Sequence, residues 1–179
     1  MSWGGTVALE LYRRHPEQVS TLILVGSYAG WKGSLPADEV AGRVAGTERM
    51  LAAPEFDPTL PGLFSGEPPT EFVSLLTEMA ADVRPETMRR QLTIMAEADL
   101  SDLLPQIAVP TLLIWGELDA RSPVSVAREF ERAVTDSQLA LIEGAGHVAN
   151  LERPAEVNAA IREFGLSHSG FDVVDTRRP

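Results

Sequence analysis

Three short apolar runs constrain this chain more than anything else in it: TLILVG at 21–26, PTLLIWG at 110–116 and SQLALIEG at 137–144. Each is short for a helix, is closed by glycine, and is apolar without strict alternation. That pattern reads as a strand buried on both faces, the kind found in parallel sheets covered by helices. Apolar spacing predicts helices over 125–133 and 155–164, the second opened by Pro154 at a first-turn position where its missing N–H costs nothing. An earlier helix is predicted over 6–15, with Val7, Ala8, Leu11 and Tyr12 as its apolar positions and Pro16 as its stop. Strands alternating with helices imply a parallel sheet wound by right-handed crossovers.

Residues 35–99 break that rhythm. They hold no convincing strand but three amphipathic helical stretches: 37–51, 70–81 with Phe72, Val73, Leu76 and Met79, and 85–98 with Met88, Leu92 and Met95. Between the first two lies AAPEFDPTLPGLFSGEPPT, whose prolines and glycines predict an ordered loop without regular structure. An all-helical insertion at 35–99 therefore divides a core into 1–34 and 100–166, with a polar tail at 167–179. A chain of 179 residues is long enough for one such domain with a sizeable core.

Charge and composition exclude several functions. A net charge of −11, from 26 acidic against 15 basic residues, repels a phosphate backbone, so nucleic acid is not an expected partner. The absence of cysteine excludes disulfides, thiolate catalysis and Cys-ligated zinc. No apolar run approaches the roughly 18 residues of a membrane span, and the first residues lack a signal-peptide pattern. The expectation is a cytoplasmic protein with no membrane partner.

In a parallel α/β sheet, ligands bind beyond the carboxyl ends of the strands, where the loops converge. Three polar residues fall at that edge: Ser2 before the first helix, Asp119 after the second strand, and His147 after the third. A serine hydroxyl is a weak nucleophile until a base takes its proton, and a histidine oriented by a carboxylate supplies that base. Serine, then acid, then histidine is one of the known chain orders for such a triad.

At these residues the chain resembles the α/β-hydrolase family, in particular its members with a helical cap. SWGG is similar to the second half of the G-x-S-x-G-G nucleophile elbow, VPTLLIWGELDARSP to the family's strand and acid loop, and IEGAGHVANLERPAEVNAAIREF to its histidine loop and final helix. The resemblance runs from Ser2 to about Phe164 and implies a partial α/β-hydrolase fold with an all-helical cap. It implies Ser2 as nucleophile, Asp119 as the acid, His147 as the base and the Trp3 backbone N–H as an oxyanion donor. The implied substrate is a small, mostly apolar molecule carrying an ester, amide, lactone or carbon–carbon bond, and neither metal nor organic cofactor is implied.

Each residue also has a plainer reading. Ser2 can be a helix N-cap, although Gly4 and Gly5 after it suit close backbone packing. Asp119 can be a turn aspartate with Glu117 as a nearby competitor. His147 can be a loop histidine bonded to backbone. His15 reads as a solvated residue in a last helical turn, and His168 as part of the tail.

The family pattern places about five strands before the elbow. The resemblance therefore implies that the N-terminal strands are missing and that the chain is the C-terminal part of a larger hydrolase. The strand at 21–26 is then left with an exposed edge that offers self-association, and Ser2 lacks the strand that holds its turn. Two other functions stay open: an inactive fragment acting as a binding module, and an N-terminal nucleophile in which Ser2 uses its own amine.

Overall fold

Three parallel strands, β1 (Leu22–Val25), β2 (Thr111–Gly116) and β3 (Ser137–Ile142), lie in the order β1-β2-β3. Leu24 is in register with Leu113, and Leu113 with Leu139. The structure is a computed structural model that describes residues 1–53 and 61–168. Residues 54–60 of the expected loop, and 169–179 of the expected tail, lie outside the described residues.

Only β2 is buried along its whole length. β1 buries Leu22 and Leu24 but leaves Ile23 39% exposed, and Leu141 of β3 is also exposed, so the reading of all three runs as strands buried on both faces holds for the central one alone. The reason lies in the layers. One face of the sheet carries a core built from Leu24, Leu113 and Trp115 against Leu9 and Phe130. The other face packs Leu112, Ile114 and Ile142 against Val157 and Phe164. The helix supplying the last two, α7 (Pro154–His168), lies on β2 and β3 and leaves Ile23 uncovered.

The first helix, α1 (Trp3–Arg14), begins three residues before and ends one residue before the expected 6–15, and of its four expected apolar positions only Tyr12 is buried. Its inward residues are Gly5, Thr6, Leu9 and Tyr12, while Val7 and Leu11 are about half exposed. Polar anchoring explains the rotation. Thr6 Oγ1 donates to the Tyr28 carbonyl (2.9 Å), and Tyr12 Oη accepts from the Ala108 N–H (2.9 Å), so both polar groups find partners inside. Gly5 lets the helix approach Ser27 so closely that a Cβ there would collide with the Ser27 side chain.

The insertion is helical: α2 (Ala37–Ala52), α3 (Thr70–Ala81) and α4 (Pro85–Glu97), all within a residue or so of the expected bounds. α2 packs on α4, and Leu92 and Met95 of α4 join the core beneath the sheet. α3 buries no residue, and Met79 of its apolar stripe is 61% exposed. α5 (Val124–Ala133) crosses between β2 and β3. A short helix, α6 (Ala149–Glu152), precedes α7, and α7 runs through His168, two residues into the stretch read as tail. Among the described residues no helix is long and apolar enough to cross a membrane.

Candidate active site

The loops after β2 and β3 bring Asp119 and His147 together under almost complete burial, at 5% and 2% exposure. His147 Nδ1 lies 2.8 Å from Asp119 Oδ2 and 3.0 Å from Oδ1. The carboxylate is fixed before the imidazole reaches it. Asp119 Oδ1 accepts the backbone N–H groups of Arg121 (2.9 Å) and Ser122 (2.7 Å), the self-closing turn that a short acidic side chain favours. Ser122 is tied in turn, its Oγ donating to the Ser27 carbonyl (3.2 Å) while Trp115 Nε1 donates to its carbonyl (3.1 Å). Three N–H groups thus converge on one buried carboxylate, the arrangement that makes a buried charge tolerable.

The loop that carries His147 is clamped on both sides of that residue. Gly146 N–H donates to Glu152 Oε2 (2.6 Å), and Val148 N–H donates to the Leu63 carbonyl (3.0 Å). Glu152 Oε1 also accepts the Ser65 N–H (2.9 Å), binding the segment that enters α3 to the loop. Among the described residues nothing hydrogen-bonds His147 Nε2, so the nitrogen opposite Asp119 is free for a proton to be transferred.

Ser2 directly precedes α1 with φ 47° and ψ −126°, and it is the one non-glycine residue of positive φ among those described. Such a backbone costs on the order of 1–3 kcal/mol and persists only where the surroundings impose it. Here the Ser2 N–H donates to the Val25 carbonyl at the end of β1 (2.8 Å), and the Gly5 N–H donates to the Ser2 carbonyl (2.9 Å). The turn expected to lack support is thus held from the β1 side. Ser2 occupies the N-cap position of α1, but its side chain makes no capping hydrogen bond. Among the described residues its hydroxyl makes no hydrogen bond to His147; the link is indirect, the Ser2 N–H being bonded to Val25, whose neighbour Gly26 lies against Asp119 and His147. Trp3 opens α1, where a helix leaves its first N–H groups without intrahelical partners.

The remaining candidates fall elsewhere. Glu117 Oε2 accepts the exposed Gly144 N–H (3.2 Å) rather than facing His147. His15 is exposed, 3.7 Å from Glu17, and His168 Nδ1 lies 3.0 Å from the Phe164 carbonyl. Gly5 makes the close approach expected of the glycine pair, whereas Gly4 has open space around it. Among the described residues no three His, Asp or Glu side chains are grouped to hold a metal ion.

Several residues of the site carry no local signal in the sequence. Gly26 follows β1 at φ 50°, and a Cβ there would stand 3.1 Å from both Asp119 Oδ2 and His147 Nδ1. Arg43 of α2 donates to the Arg121 carbonyl (2.7 Å) and to Tyr28 Oη (3.0 Å). Burial pushes the Tyr28 phenol above its ordinary value, opposed by the nearby Arg43 charge, and burial lowers Arg121. A cavity of about 790 Å³ opens between α2, α4 and the acid loop, with Trp31, Met50, Met88 and Leu92 on its apolar side and Ala120 and Arg121 at its base. Ser2 and His147 do not line it. Of the signals for these residues, only Asp-Ala-Arg-Ser-Pro, with aspartate opening a turn and serine before proline, is visible locally.

Known proteins resemble this chain in sequence and fold. A pimeloyl-[acyl-carrier protein] methyl ester esterase of Neisseria meningitidis is 30% identical over 174 residues, a match covering 91% of this chain and 66% of the relative. Among solved structures, a thermophilic esterase from Thermogutta terrifontis is 30% identical with a TM-score of 0.78, covering 94% of this chain and 64% of that one. An esterase from Exiguobacterium antarcticum, 24% identical, shares the fold with a TM-score of 0.78 over 92% of this chain and 64% of that one. The chain thus spans just under two thirds of the length of these proteins. The sequence model of the alpha/beta hydrolase family matches residues 1–160, and with the parallel sheet and its helical insertion in place, the chain belongs to that family.

Proposed function

We propose that this chain carries the catalytic portion of an esterase, with Ser2 as nucleophile, His147 as general base and Asp119 as the group that orients it. The observation that carries this reading is the buried Asp119–His147 pair, with a serine of strained backbone bonded to the carboxyl end of β1. As Ser2 Oγ attacks the ester carbonyl, its proton passes to His147 Nε2 and the carbonyl electrons move onto oxygen. The Trp3 N–H, at the positive end of α1, donates to that oxyanion. The intermediate collapses, the alkoxide leaves with the proton from His147, and a water deprotonated by His147 then hydrolyses the acyl-serine to acid and free Ser2.

The substrate class we assign is an ester of an apolar acyl chain, on the esterase relatives and on the largely apolar cavity that reaches the loop carrying Asp119 at Ala120 and Arg121. A fluorophosphonate probe tests the chemistry. It is expected to label the chain at Ser2 and to fail with Ser2→Ala. Absence of label on a chain whose amides are protected from exchange rules the nucleophile out. Turnover of methyl esters of graded acyl length tests the substrate class, with rates expected to rise from acetyl to medium chains.

A second reading rests on the edge of β1, which pairs only with β2 among the described residues and exposes Ile23. In it the chain self-associates through that edge. Size-exclusion chromatography is expected to show concentration-dependent dimers that Ile23→Lys abolishes, and a monomer at every concentration removes this reading.

A further inference from the structure

Arg43 connects the helical cap to the acid of the site through a single peptide unit. Its side chain is 21% exposed and spends its donors in three directions. Nε (3.1 Å) and one terminal nitrogen (2.6 Å) donate to Glu39 Oε1, and the other terminal nitrogen donates to Tyr28 Oη (3.0 Å) and to the Arg121 carbonyl (2.7 Å). The guanidinium also lies over the rings of Tyr28 (5.7 Å) and Trp31 (5.6 Å). The Arg121 carbonyl belongs to the peptide joining Arg121 to Ser122, and the N–H of that same peptide donates to Asp119 Oδ1 (2.7 Å). A cation therefore sits at the oxygen end of one peptide dipole and a carboxylate at its N–H end.

Hydrogen bonds arranged in series polarise one another, and both bonds here have an ionised partner, which makes each stronger than a neutral bond. We propose that Arg43 is a positioning residue for Asp119: acting through the peptide between Arg121 and Ser122, it holds the carboxylate, and with it the His147 ring, only while the cap helix α2 is seated. The orientation of the acid–base pair is thereby tied to the position of the cap. This rests on the reading of Asp119 and His147 as acid and base, but the coupling itself exists without substrate and is measured without it.

The alternative is that Arg43 only fastens α2 by packing on Tyr28 and Trp31. A double-mutant cycle on the full chain separates the two. In denaturant titrations, Arg43→Met is expected to raise the unfolded-to-folded ratio about tenfold more in the natural background than in Asp119→Asn, because the neutral amide no longer draws on the charge. Equal effects in both backgrounds overturn the proposal. Should Arg43→Met fail to fold, Arg43→Gln and Arg43→Lys are read by NMR. The Ser122 amide proton is expected to move upfield in Arg43→Gln and to return toward its natural position in Arg43→Lys, and a resonance unmoved in Arg43→Gln overturns the proposal. These readouts stand apart from fluorophosphonate labelling: loss of label with the coupling intact fails the hydrolase reading alone, and label with additive mutations fails the coupling alone.

Discussion

Gly26 stands against His147 so closely that a Cβ on it would lie 3.1 Å from the imidazole Nδ1 and 3.2 Å from Cε1, with Asp119 Oδ2 equally near. The residue that follows β1 thus forms the wall behind the Asp119–His147 pair. Its φ of 50° adds a second constraint, since an L side chain there costs about 1–2 kcal/mol. Gly26→Ala is therefore expected to lower stability by about that amount and to displace the imidazole. Denaturant midpoints and ester turnover check both effects, and an unchanged midpoint with natural turnover shows that the loop yields freely.

Asp119→Asn should separate orientation from fold. An asparagine can keep its carbonyl oxygen on the Arg121 and Ser122 N–H groups, and its amide then faces His147 Nδ1 and forces the proton onto Nε2. The imidazole becomes unable to act as base. The expected loss in kcat is on the order of 10³–10⁴-fold, by analogy with the same change in a serine protease, and the stability lost is the part that the Asp119 charge shares with Arg43. Nitrogen chemical shifts of His147 read the tautomer independently of activity, and a ring still protonated at Nδ1 refutes this account.

Glu152 joins Gly146 on the histidine loop to Ser65 at the entry to α3. Glu152→Gln keeps one acceptor oxygen and turns an N–H donor toward another donor. With the pair partly exposed, a stability loss of about 1 kcal/mol is expected. Faster hydrogen exchange at Gly146, leaving the amides of β2 unchanged, is the specific signature. Unaltered exchange at Gly146 contradicts the clamp.

The buried Tyr28 phenol sets an alkaline limit. Its folded-state pKa lies above the ordinary 10.0 because burial disfavours phenolate, with Arg43 opposing that shift. The folded state then holds its proton more tightly than the unfolded state, so stability falls as pH rises from the unfolded value toward the folded one. Stability should decline above about pH 10, and Tyr28→Phe should flatten that decline while losing the bond from Arg43. A decline of the same steepness in the phenylalanine variant assigns it to other groups.

What the sequence determined alone is the run of elements. The helix over 70–81 is found at those bounds, and Pro85 and Pro154 open the helices that contain them, because proline geometry and apolar periodicity act within a few residues. Asp119 and His147 were legible for a similar reason, since each follows a recognisable strand at the edge where loops converge. Tertiary structure decided the rest. Val7 and Leu11 are as apolar as Leu9, and only the partners waiting for Thr6, Tyr12 and Gly5 select the inward face. Ile23 is as apolar as Leu24, yet its exposure depends on where α7 lies. Arg43 and Arg121 are 78 residues apart, and Ser65 and Glu152 are 87 apart. A bond across such a distance leaves no periodicity to read, because its geometry exists only once the sheet and the cap have packed.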